Sequence, residues 1–138
     1  MSFYLSVASI EKKLFEGEAD EVILPGVDGI MTILGKHMPI ITPLKVGEVV
    51  IKTKEEMLYY SIGKGVFSFN DNEASLLIED ATATEALSEE EVLNAKRKAE
   101  EIIEKGVQGE EMQKALYKLR KSIFYLKIIK RRKLKRQF

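Results

Sequence analysis

One histidine, no cysteine and a few scattered serines are all that this chain offers to side-chain chemistry. His37 has no second histidine with which to hold a metal and no nucleophile to activate, so it reads as a hydrogen-bonded loop residue. Ser61, Ser68 and Ser75 lie in short apolar runs without the strand-turn-helix elbow of a nucleophilic serine, and read as solvent-facing strand positions. Gly26, Gly29 and Gly35 fit neither G-x-G-x-x-G nor G-x-x-x-x-G-K-S/T, and no helix follows to turn its N-terminus toward a phosphate. Glu55-Glu56 falls in a turn-like stretch and reads as a solvated pair. The lack of cysteine removes disulfides, thiolate zinc sites and cysteine nucleophiles together, and fits a reducing compartment. No residue set supports an enzyme, a cofactor or a metal, so the chain is expected to act by contact.

Charge is the stronger signal. The 22 basic and 22 acidic residues cancel over 138 positions, but residues 1–86 carry a net −7 and residues 87–138 a net +7. From Met112 to Phe138 there are eleven basic residues and no acidic one, ending in Lys130, Arg131, Arg132, Lys133, Lys135 and Arg136. A reversal of this size suggests two modules with different neighbours. Lys96, Arg97 and Lys98 form a solvated helix face or, in a sharper reading, reach a nucleotide or an acidic protein. The basic end can be solvated, or meet an acidic protein surface, nucleic acid or anionic lipid. Aromatic residues are not interleaved with it as single-strand binding favours. There is no leader-like start and no run near the ~20 apolar residues of a bilayer span, so the chain is expected to be neither exported nor membrane-spanning.

The elements that position these charges follow from periodicity. Phe3, Leu5 and Val7 alternate with Tyr4, Ser6 and Ala8, the pattern of a strand with one buried face. Val22 to Leu24, Ile30 to Leu34, Val46 to Thr53, Met57 to Ile62, Gly65 to Phe69 and Ala74 to Ile78 add further strands. They are separated by Pro25 to Gly29, Lys54 to Glu56 and Asn70 to Glu73. This spacing predicts an antiparallel β-sandwich or barrel over residues 1–86. Met38-Pro39 to Thr42-Pro43 is expected to be a connection, because proline cannot donate to a ladder. Residues 87–138 predict an antiparallel two-helix hairpin. Ser88 to Glu91 fits a capping box, Leu87 and Val92 a hydrophobic staple, and Gly106 a left-handed stop. Val92, Ala95, Ala99 and Ile102 mark the first helix. Met112, Leu116, Leu119, Ile123 and Leu126 mark a seam on the second. If the second helix runs to about Leu134 it is ~37 Å long, leaving Phe124, Tyr125, Ile128 and Ile129 near an end the first helix does not cover.

This ordered set resembles the epsilon subunit of bacterial F-type ATP synthases, the counterpart of the mitochondrial delta subunit. Phe15-Glu16-Gly17-Glu18-Ala19 resembles the family's early segment, and Gly29 through His37-Met38-Pro39 its glycine-rich loop. Pro43-Leu44-Lys45-Val46-Gly47 is similar to the next turn, and Ala95-Lys96-Arg97-Lys98-Ala99-Glu100-Glu101 to the first C-terminal helix. The resemblance implies a non-catalytic central-stalk subunit without a cofactor, peripheral on the cytoplasmic face of the bacterial cell membrane. It implies a sandwich that binds the gamma subunit and the c-ring, with membrane contact only through the c-ring and no nucleic acid. The loop residues Gly29, Ile30, Met31, Thr32, His37 and Pro39 take the gamma and c-ring contact. The hairpin is implied to lie folded or to extend along gamma to the beta and alpha subunits, where it blocks ATP hydrolysis. The resemblance assigns the inhibitory contact of the second helix to Arg120, Lys121, Lys127, Lys130, Arg131 and Arg132, as an expectation.

Two departures stand out. The loop has Ile30, Thr32, Gly35 and Lys36 where the family commonly has an acidic residue, a glycine and a Pro-Gly pair. Leu87, Ser88, Glu91 and Val92 replace an I/L-D-x-x-R-A motif through which some members bind ATP, and an acid where an arginine would stand repels phosphate. Weak or absent ATP binding is expected. The alternatives are a nucleic-acid-binding module using the basic tail, or a protein of anionic membrane surfaces. Salt-dependent DNA affinity or liposome co-sedimentation distinguishes them.

Overall fold

The computed structural model describes residues Met1–Gln137; Phe138, and the side chains from Lys135 onward in the basic end, lie outside the described residues. The chain forms two compact units, Met1–Ala83 and the segment from Thr84 onward.

The first unit holds ten strands: β1 (Phe3–Ser9), β2 (Lys13–Ala19), β3 (Glu21–Gly26), β4 (Gly29–Leu34), β5 (Ile40–Leu44), β6 (Gly47–Lys52), β7 (Met57–Ile62), β8 (Gly65–Asn70), β9 (Glu73–Ile78) and β10 (Ala81–Ala83). They pair in the order β10-β7-β6-β3-β5-β8-β9-β1-β2, with β4 added on β3. The ladders are antiparallel except between β1 and β9, which run parallel. Alternation gives the sandwich its core. Phe3, Leu5 and Val7 of β1 meet Val22, Leu24, Ile33, Val49, Ile51, Ile62, Phe67, Phe69 and Leu76 in one buried cluster. Most intervening residues are exposed or half-buried, because a strand turns successive side chains to opposite faces. Ser61 is a correction to the solvent-facing position expected, since it is fully buried beside Ile62.

The two layers join at a corner built from prolines and glycines. β3 pairs with β6 over Glu21 to Ile23 and then meets β5 at the single pair Gly26↔Leu44. Lys45 N donates to the Pro25 carbonyl at 3.0 Å, and a Cβ on Gly47 would stand 2.5 Å from the Pro25 ring. Here the expected connection around Thr42-Pro43 is corrected. Residues 40–44 are a strand, paired to β8 from Ile40↔Phe69 to Leu44↔Gly65. A proline is tolerated because β5 touches β3 only at its last residue, so its other edge asks for few donors. Strand β2 and the short β10 carry too little apolar alternation to be read from sequence; both end the ordered path of strands. The turn at Asn70 to Glu73 is a two-residue hairpin, with Asp71 and Asn72 at positive φ as such turns demand.

The second unit opens with a 3-10 turn, Thr84–Ala86, followed by α1 (Glu89–Glu104) and α2 (Glu110–Gln137). Ser88 caps α1, its Oγ accepting from Glu91 N at 3.3 Å, and Leu87 and Val92 are both buried, as the capping box and staple predict. Gly106, at φ 72°, ends the helix in the left-handed conformation. The predicted seam is corrected. The buried positions of α2 are Ala115, Ser122, Tyr125, Ile128 and Ile129, while Ile123 is exposed. Much of the buried stripe therefore runs one position before the larger residues, a rotation of about 100°. On α1 the buried positions are Val92 and Ala99, and Ala95 is exposed. Small residues where α1 and α2 pack let the two backbones approach closely. The far end of α2 is also not left bare: it meets the segment that precedes α1, as the bonds of Arg132 show below.

Candidate functional site

Each unit presents one surface that carries the residues singled out in the sequence. In the sandwich it is the β3–β4 hairpin and the loop that follows. β4 pairs only with β3, from Glu21↔Leu34 to Gly26↔Gly29. Its alternation sends Ile33 into the core and half-buries Met31, leaving Gly29, Ile30, Thr32 and Leu34 outside. Ile30 is 81% and Met38 72% exposed, a costly arrangement in water for residues of this type.

The loop after β4 is held by three fixings. His37 N donates to Leu34 O at 3.2 Å, and Lys36 N donates to Asn72 Oδ1 at 2.7 Å. The His37 ring gives its Nδ1 hydrogen to Met38 O at 2.7 Å and stands edge-on to Phe69, with centroids 5.8 Å apart. His37 is thus a strut of the loop. Pro39 is exposed beside it, and Lys36, His37, Pro39 and the Asn70-Asp71-Asn72 turn line an open depression. Gly35 is needed here, since a Cβ would stand 2.8 Å from the Met1 carbonyl oxygen. Of the loop residues proposed from sequence, Gly29, Ile30, Thr32 and Pro39 are outward, while Met31 and His37 are half-buried supports. Leu34 and Met38 were missed. Period-two counting from the buried Ile33 finds Leu34; Met38 follows from no pattern.

A second group sits on β1 and β2. Glu16 accepts from the Tyr4 hydroxyl and from Lys13 Nζ. The Lys13 bond, then the Tyr4 bond, hold the Glu16 carboxyl below its ordinary 4.5, and the Glu16 bond pushes the Tyr4 phenol above 10.0. Glu16, Glu18, Asp20, Glu55 and Glu56 border an open cleft. Among the described residues no three acidic, histidine or cysteine side chains are placed to hold a metal ion.

In the hairpin the surface is a stripe on α2. At 100° per residue, Arg120, Lys127 and Arg131 fall within about 40° of one another, with Ile123, Lys130 and Leu134 alongside. All six are exposed, Ile123 at 40% and Leu134 at 49%, so the stripe alternates cation and apolar contact. The other two cations proposed from sequence are elsewhere. Lys121 lies over the Tyr125 ring, 5.7 Å from its centroid, on the buried side. Arg132 turns inward, its guanidinium donating to the carbonyls of Thr84 and Leu87. Ile123 and Leu134 were missed as surface residues because the sequence pattern assigned Ile123 to the seam.

A β-sandwich followed by a two-helix hairpin defines the class of this protein. A family model described as the ATP synthase delta/epsilon chain β-sandwich domain matches residues 2–84. The chain is 37% identical over 105 residues to the chloroplastic ATP synthase epsilon chain of Tetradesmus obliquus, covering 76% of this chain and 77% of the relative. It is 32% identical over 126 residues to the ATP synthase epsilon chain of Stenotrophomonas maltophilia, covering 91% and 90%. A chain in a cryo-EM structure of the Euglena gracilis mitochondrial ATP synthase shares the fold. Its TM-score is 0.73 at 17% identity, over 87% of this chain and 78% of that one. The protein belongs to the ATP synthase delta/epsilon chain family, as an epsilon chain.

Proposed function

We propose that the chain is a non-catalytic central-stalk subunit of an F-type ATP synthase. Its sandwich holds it on the gamma subunit and the c-ring, and α2 restrains ATP hydrolysis by the alpha-beta hexamer. The observation that carries this reading is that both modules align together with one relative named as an epsilon chain, over 91% of the sequence. The exposed Ile30 and Met38 support Gly29, Ile30, Met31, Thr32, His37 and Pro39 as the c-ring and gamma contact, since exposed apolar side chains on a pinned loop fit a permanent interface. The α2 stripe, cationic and apolar by turns, suits an acidic segment of the beta subunit. Among the described residues no helix is long and apolar enough to cross a membrane. The membrane is reached through the c-ring, on the cytoplasmic face.

ATP is not a ligand in this reading. Ser88 is used as a helix cap, and Glu91 brings a carboxylate to the place where a phosphate would need a cation. An amide spectrum unmoved by millimolar ATP is the expected result.

The test is ATP hydrolysis by the reconstituted alpha-beta-gamma complex, alone, with the full chain, and with a version ending at Ala83. Binding of both forms with suppression by the full chain only is expected. Binding of both without suppression removes the inhibitory role, and binding of neither overturns the stalk assignment.

A further inference from the structure

We propose that Arg132 is a latch that holds the helical hairpin shut, and that the closed latch withdraws this cation from the surface α2 offers to a partner. The functional half rests on the reading of α2 as the inhibitory element; the latch itself does not. Arg132 Nη1 donates to the Thr84 carbonyl and Nη2 to the Leu87 carbonyl at 3.2 Å. One planar fork thus bridges two carbonyls three residues apart from two separate nitrogens, a preorganised geometry that a single ammonium nitrogen does not reproduce. The next residue repeats the tie, Lys133 Nζ pairing with the Glu89 carboxylate. The far end of α2 is thereby fastened to the start of α1, the ends farthest from the turn between the helices.

Three features make the latch releasable. Its acceptors are neutral carbonyls, Arg132 Nε is buried with no acceptor among the described residues, and the Lys133–Glu89 pair is exposed and weakly held. The turn that must hinge contains Gly106 and Gly109, both at positive φ and both with open space where a Cβ would stand. On α2, Arg132 lies about 120° from Arg120 and about 140° from Lys127, so it sits on the side the closed latch covers and off the exposed stripe. Closed, the hairpin presents four of the six proposed cations, with Lys121 and Arg132 on its inner side; open, it presents Arg132 and frees that inner face.

The chain has no cysteine, so Glu90→Cys and Lys130→Cys give a unique pair of spin-label sites in the full chain. A single short distance is expected in this background. Arg132→Ala is expected to add a population longer by more than ~10 Å, because α2 swings as a lever of ~40 Å. Arg132→Lys, which keeps the charge without the fork, is expected to open the hairpin as well. A distribution unchanged in Arg132→Ala overturns the latch. Should far-UV circular dichroism show that Arg132→Ala melts α2, Arg132→Lys decides: a helical variant still shut overturns the latch. Hydrolysis by the alpha-beta-gamma complex then tests the consequence. If the open fraction rises from ~10% to ~50%, half-inhibition by unlabelled Arg132→Lys falls about fivefold in concentration. An opened hairpin with unchanged inhibition supports the latch and overturns the inhibitory reading of α2.

Discussion

In the sandwich Phe67, Phe69, Leu5 and Leu76 are withdrawn from water, whereas in the hairpin α1 buries only Val92 and Ala99, and α2 gives Ala115 and Ser122 to its buried stripe. Large side chains interdigitated on most strands make many dispersion contacts, and loss of any one opens a cavity. Small residues between two helices allow close approach but leave little to lose when the helices part. Among the described residues of α2, large buried side chains are Tyr125, Ile128 and Ile129, close along the helix to Arg132. The sandwich is therefore the more heavily packed platform and the hairpin the more lightly packed part, and the two should respond differently to substitution.

The largest effect is expected at the centre of the platform. Phe67→Ala should cost about 3–5 kcal/mol in urea unfolding followed by a sandwich signal; a cost as small as that of a hairpin substitution would break the contrast. Gly47→Ala follows, at about 2 kcal/mol, because the added methyl meets the Pro25 ring at the corner between the layers. Thermal unfolding should show the loss, and an unchanged midpoint would mean that the corner yields. Ser88→Ala removes the N-cap of α1 and should cost about 1 kcal/mol. Faster hydrogen exchange in the first turn of α1, with sandwich amides unmoved, would sharpen the separation of the two units. Arg120→Glu with Lys127→Glu should leave stability within about 0.5 kcal/mol, since both face water. Its readout is inhibition of hydrolysis, expected to weaken.

The smallest effects belong to Tyr4 and Glu16 on the sandwich surface. Glu16 has a lowered pKa, so the stabilisation it lends is present above its ordinary 4.5 and is lost as pH falls through the lowered value. Tyr4 has a raised pKa, so its share is complete below 10.0 and is lost as pH rises through the raised value. Titration by NMR should place the two midpoints on those sides, and Glu16→Gln should bring Tyr4 back toward 10.0.

Legibility also differed between the units. Alternation at Phe3, Leu5 and Val7 identified a strand because the pleat imposes the same period on any sheet, and Ser88 identified a helix start because a cap is local. β5 was hidden by Pro43: whether a missing N–H matters depends on which edge of the strand has a neighbour. The α2 stripe was misplaced because Leu116, Leu119 and Ile123 outweigh Ala115 and Ser122 in hydropathy, while a close helix pair selects for small size. At the candidate sites the cations were legible as types and numbers, but Arg120, Lys127 and Arg131 could not be told from Arg132.

By itself, the sequence determined what depends on neighbours along the chain: strand and helix periods, caps, turns and the charge reversal between modules. Only the tertiary structure decided what depends on neighbours across it. The corner at Gly26 and Leu44, the outward row on β4, the buried side of α2 and the carbonyls that capture Arg132 all join residues distant in sequence. Their energies come from packing and hydrogen bonding between surfaces whose partners no local pattern names.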